Sequence, residues 1–232
     1  MSRGVGLRRL LGMSPSLPVI LGVAAVALLA GVGIALTRGK RPMKTLFGRL
    51  VGPTLDAFDD KYGYDTSYLR HVADTSAGAF LRFGMFTRFA EHRAVVSKEA
   101  WFTAKICAAL REDCGPCTQL VVKLAEEAGV SPDVIRPVIA HDRAGLRGDA
   151  RIAFDLAQAT MDRDLVRADA ARAEALGRWG DEGVIALAFA IASSRVYPTI
   201  KYAHGYGRTC SRVFVGEKEM APGPRAAHAD AT

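Results

Sequence analysis

Apolar and polar residues recur along this chain with the three- and four-residue spacing of amphipathic helices, and no period-two pattern of a strand appears. Residues 19–36, VILGVAAVALLAGVGIAL, break that rhythm as an uncharged apolar run of eighteen residues. That is near the shortest helix that spans a bilayer. Beyond a basic stretch, apolar residues Leu46, Phe47, Leu50 and Val51 are placed to share one face of an amphipathic helix. Helical spacing continues through Leu69, Val72, Phe80, Phe83 and Phe86, then through Trp101, Ala104, Ile106, Ala108 and Ala109. Ser97 is placed as an N-cap, and Ser131-Pro132-Asp133 opens another helix with a cap, a proline at the first position and an acid in the first turn. Further helices lie around Ile152, Ala153, Leu156 and Ala157, and over a charged, alanine-rich stretch from Asp164 to Leu176. Trp179-Gly180-Asp181-Glu182 then reads as a turn. The apolar VIALAFAIASS segment after it is expected to be central to the core, with Pro198 interrupting or kinking the chain just beyond.

These patterns predict an all-α chain: a basic segment over 1–18, a transmembrane anchor over 19–36 and a basic linker over 37–55. A helical domain over 56–215 and a disordered tail over 216–232 complete it. A cleaved signal peptide and a buried helix are the alternatives for 19–36. Arg38, Lys40, Arg41 and Lys44 directly after the run favour a retained anchor. The cations after the run outnumber Arg3, Arg8 and Arg9 before it, which places the larger C-terminal part in the cytoplasm of a single-pass protein. Half of the residues are hydrophobic, with few aromatics, which suits closely packed helices. A net charge of +7 without a basic stripe interleaved with aromatics excludes a nucleic-acid partner.

The chemistry concentrates in Asp113-Cys114-Gly115-Pro116-Cys117. With Cys114 capping a helix and Cys117 in its first turn, both thiols fall on one face, within reach of a disulfide. The unpaired N–H groups of a helix N-terminus favour a thiolate, whereas Glu112 and Asp113 oppose it. The alternatives are a metal site, which lacks a second ligand pair, and two inert cysteines. Cys107 and Cys210 stand alone, Cys107 reading as a small buried hydrophobe. Lys105 is expected at the surface, or else turned toward the dithiol. Arg195 is expected to pair with a carboxylate in the core, and His92 and His141 to face solvent or bond within the core.

The segments EDCGPCTQLVVKLAEEAGV, RIAFDLAQAT and GDEGVIALAFAIASSRV together resemble the alkylhydroperoxidase D-like, carboxymuconolactone decarboxylase superfamily. The resemblance implies an alkylhydroperoxidase D-like helical bundle that forms a homo-oligomer and carries out dithiol chemistry without a cofactor or metal. Redox members resemble E-x11-C-x-x-C-x-x-x-H. Cys114 and Cys117 match that pattern, the histidine position falls on Val121 and the glutamate position on Phe102. Glu99, one helical turn earlier, is the substitute carboxylate. The catalytic candidates are therefore Cys114, Cys117 and Glu99. Helix-terminus logic favours attack by Cys114, and the resemblance favours Cys117. The expected function is a membrane-tethered thiol–disulfide oxidoreductase or weak peroxidase with a thiol redox partner. The alternative is a catalytically degenerate helical module for binding or assembly at the membrane. A decarboxylase of small acids is a third reading, for which no residue set is found.

Overall fold

The computed structural model describes residues 44–208 and 212–223. The expected basic segment 1–18, the apolar run 19–36 and residues 224–232 of the expected tail lie outside them. Two compact units divide the chain, residues 1–82 and 83–232. The division falls inside a helix, within the stretch read above as one domain.

The first unit holds α1 (Leu46–Tyr62), α2 (Ser67–Thr75) and the start of α3 (Ala77–Ala90). Thr45 caps α1, its hydroxyl accepting from the Gly48 N–H at 2.9 Å. Gly63 ends α1 in the left-handed conformation (φ 59°). Val51, Leu55, Ala73 and Phe80 form the small apolar core of this unit. The four apolar residues 46, 47, 50 and 51 do not share a face: Val51 is buried and Phe47 packs beside it, whereas Leu46 and Leu50 face outward. At 100° per residue the pairs 46/50 and 47/51 point apart, and the core takes only the second. Helicity from Tyr68 onward is broken at Ser76, whose hydroxyl accepts from the Ala79 N–H and starts α3. Arg70 is buried and donates to Asp56 (2.7 Å) and Asp59 (3.2 Å), while Asp59 also accepts from the Thr66 N–H.

The second unit is built around α4 (Lys98–Arg111), in which every residue from Ala100 to Leu110 is buried. Around it pack α5 (Gly115–Glu127), α6 (Pro132–Ile139), α7 (Gly148–Asp162) and α8 (Leu165–Ala203). The most enclosed helix is thus α4; the apolar part of α8 buries one face through Ala186, Leu187, Ala190 and Ile191. A break at Gly180 (φ 66°, ψ −171°) divides α8 where the Trp-Gly-Asp-Glu turn is expected. That backbone region is open in practice to glycine alone. Helix continues through Pro198 to Ala203, so packing overrides the expected interruption. Among the described residues α8 alone is long and apolar enough to cross a membrane, by length and composition, with 44% of its most apolar window buried inside the fold. The membrane-length helix of the described chain is therefore internal, and the predicted N-terminal span lies outside the described residues.

One departure from an all-helical chain is a two-stranded antiparallel hairpin, β1 (Val213–Val215) with β2 (Lys218–Met220), register Val213 to Met220. It turns at Gly216 (φ 60°), inside the stretch expected to be disordered. Val213 and Val215 are fully buried, with Phe214 between them facing out. Three residues are too few to register as an alternating pattern. The hairpin is held from outside: Gln119 accepts from the Phe214 N–H (2.7 Å) and donates to its carbonyl (3.0 Å), and Glu126 accepts from the Gly216 N–H (2.5 Å).

Candidate functional site

The turn from α4 to α5 is tied down on each residue. Arg111 pairs with Asp162 at 2.8 Å, and Glu112 accepts from Arg195 at 2.5 Å. Asp113 takes a left-handed conformation (φ 54°), one that Asp tolerates better than most side chains. Its carbonyl accepts from the Tyr202 hydroxyl at 2.8 Å. Arg195 therefore meets a carboxylate, but in an exposed pair at the dithiol turn and not in the core as expected; α8 brings it there across 83 residues. Its charge offsets that of Glu112, one of the two acids expected to oppose a thiolate.

Cys114 is the N-cap of α5 and is bonded to Cys117 in a disulfide, with the Cα atoms 5.2 Å apart. Pro116 lies in the first turn, where a missing N–H is tolerated. The Cys117 N–H donates to Cys114 Sγ at 3.3 Å, so the helix start aims a donor at that sulfur. The Gly115 N–H is already taken by the Arg208 carbonyl at 3.1 Å. The Cys114 carbonyl accepts from both the N–H and the hydroxyl of Thr118. Cys114 is fully buried and Cys117 is 5% exposed. Two opposing effects meet here: the N–H donor favours a thiolate on Cys114, whereas access favours Cys117 as the sulfur a partner reaches first.

The other candidates are not gathered here. Glu99 lies in the first turn of α4, half-buried, beside Lys98, whose ammonium donates to the Ala128 carbonyl just past the end of α5 (2.9 Å). It thus sits at the opposite end of α5 from Cys114, on the order of 20 Å away by helical rise. Phe102 packs edge-on against Trp101, and Val121 is half-buried against the core. His92 lies against Phe189 with the two rings tilted, and its carbonyl accepts from Trp101 Nε1. His141 lies beside Phe154 and Gln158.

Lys105 is neither at the surface nor turned to the dithiol. It is buried, donates to the Ala90 carbonyl at 2.7 Å and lies 4.0 Å from the centre of the Trp101 ring. Burial pushes its amine down to about 7, against the opposing pull of Glu91. A lysine amid apolar helix positions gave no sign of this, because the carbonyl and the ring that receive it come from separate parts of the unit. Cys107 is a free, buried thiol that burial pushes up to about 12, consistent with an inert hydrophobe. Cys210 lies outside the described residues. Among the described residues no group of three or more His, Cys, Asp or Glu side chains converges to hold a metal ion. No protein-family model, no curated protein and no solved structure matches this chain.

Proposed function

We propose that this chain is a membrane-tethered thiol–disulfide oxidoreductase or weak peroxidase on an alkylhydroperoxidase D-like helical module, cycling Cys114 and Cys117 between dithiol and disulfide. The Cys114–Cys117 bond at the start of α5, with a backbone N–H aimed at Cys114, carries this reading. Residues 19–36 are its single-pass anchor, with the helical part on the cytoplasmic side and self-associated as a homo-oligomer. In the reductive half-reaction one thiolate attacks a partner's disulfide and expels one partner thiolate, which takes a proton from water. The second thiol then displaces the other partner sulfur, leaving Cys114–Cys117 oxidised and the partner as a dithiol. With a hydroperoxide, attack on the outer oxygen gives a sulfenic acid and an alcohol. The second thiol expels water to close the disulfide, and an external dithiol restores the reduced form. Glu99 stands at the far end of α5 and Val121 fills the relay histidine's position, so the leaving oxygen draws its proton from solvent. Peroxide turnover is accordingly expected to be slow.

The burial of both sulfurs favours a second reading, a degenerate helical module for binding or assembly at the membrane, in which the disulfide is only structural. Redox titration of the full chain against glutathione, with alkylation rate followed against pH in Cys114→Ser and Cys117→Ser, separates the two. The oxidoreductase reading expects a reversible two-electron couple near or above about −270 mV, the range of catalytic dithiols, and one thiol titrating below about 8.5. A couple below about −300 mV, with both thiols at or above about 8.5, gives the structural disulfide and the binding module.

A further inference from the structure

We infer that the outward face of the first three turns of α1 is a second membrane contact, lying on the anionic headgroup surface of the bilayer. The inference rests on the reading of residues 19–36 as a membrane anchor. Helix α1 has two apolar faces. The inner one, with Val51 and Leu55, packs in the core of its unit. The outer one carries Leu46, 77% exposed, and Leu50, 50% exposed, with Pro53 and Ala57 continuing the stripe. Positions 46, 49, 50, 53 and 57 fall within an arc of about 100° at helical pitch. Over residues 46–57 the one charge in that arc is Arg49; Asp60 enters the same arc in the turn after, and Lys44 is exposed just before the helix. No carboxylate interrupts the stripe over these turns. Asp56 turns aside to Arg70, and Asp60 lies in the last turn.

Two large apolar side chains standing in solvent beside cations have the composition of an interfacial helix, whose leucines enter the acyl boundary while cations meet anionic headgroups. Position in the chain selects the bilayer as the occupant. Only residues 37–45 separate the apolar run from α1, which limits the reach to about 30 Å. Those residues carry Arg38, Lys40, Arg41 and Lys44, each attracted to an anionic leaflet. The helix start is held in register for such a contact. Asp74 accepts from the N–H groups of Lys44 (2.9 Å) and Thr45 (3.0 Å) and from the Thr45 hydroxyl (3.2 Å).

The test reconstitutes the full chain in phosphatidylcholine vesicles containing a photo-crosslinking phosphatidylcholine, with and without phosphatidylglycerol, and maps lipid adducts by mass spectrometry. Adducts are expected within residues 19–36 in both vesicles. Adducts within residues 46–57 are expected to rise about threefold or more with phosphatidylglycerol. The double variant Leu46→Gln, Leu50→Gln should lose the second set and keep the first; both side chains point outward, and an unchanged circular dichroism spectrum checks the fold. Adducts in 19–36 but none in 46–57 overturn this contact and leave the anchor standing. Adducts in neither overturn both. Equal yields without phosphatidylglycerol overturn the role of charge, and crosslinks joining residues 46–57 of two copies assign the face to self-association instead.

Discussion

Replacing Lys105 by Met tests whether a buried amine sets the pH dependence of the second unit. The ammonium has left water for the Ala90 carbonyl and the face of Trp101, and burial holds its folded value at about 7. The unfolded chain restores an ordinary lysine near 10.4. Between these values the unfolded state binds more protons than the folded one, so stability rises with pH across the window. The cost of the buried charge is complete below about 7 and vanishes above about 10.4. Integrating the proton difference from pH 7 to pH 9, at about 1.36 kcal/mol per proton per pH unit, gives a gain of about 2 kcal/mol. Cys107, held at about 12, works in the opposite sense as an unfolded thiol ionises, but it is common to both chains and cancels in the comparison. The assay is urea unfolding of the full chain in neutral detergent at pH 7 and pH 9, followed by the fluorescence of Trp101, which lies against Lys105. The parent should gain about 2 kcal/mol more than Lys105→Met between the two pH values. Parallel changes, within about 0.5 kcal/mol, would refute the argument, because they would leave Lys105 charged in the folded state at no cost.

Two further substitutions probe the frame. A Cβ at Gly183 would overlap the Cβ of Trp179 and touch Val96, so Gly183→Ala should destabilise the second unit by about 1–3 kcal/mol in the same urea assay; an unchanged midpoint would mean that Trp179 moves freely at the Gly180 break. Arg70→Met strands Asp56 and Asp59 without their cation in the first unit and should cost about 3–5 kcal/mol. Local unfolding of α1 and α2, read by hydrogen exchange, is the measurement, with recovery in Arg70→Met combined with Asp59→Asn.

What the sequence determined by itself is local. Ser97, Cys114 and Ser131 each start a helix where their side chains say so, because a cap needs only the N–H groups two or three residues ahead. The spacing of Cys114 and Cys117 suffices to bring their sulfurs together, since one helical turn does the work. The break at Gly180 was legible for the same reason. Tertiary structure decided the rest. It chose which of two apolar pairs on α1 enters a core, because a helix with apolar residues on both sides carries no label for the inner one. Lys105 went inside because a carbonyl from α3 and an indole from α4 receive it together. Arg195 met Glu112 and left Glu99 at the far end of α5, through the antiparallel run of α4 and α5 and the return of α8. The hairpin of β1 and β2 exists because Gln119 and Glu126, some ninety residues earlier, supply the partners its backbone lacks. Contacts within a turn of helix are fixed by spacing along the chain, whereas contacts between helices depend on which faces the packed core leaves no water to solvate.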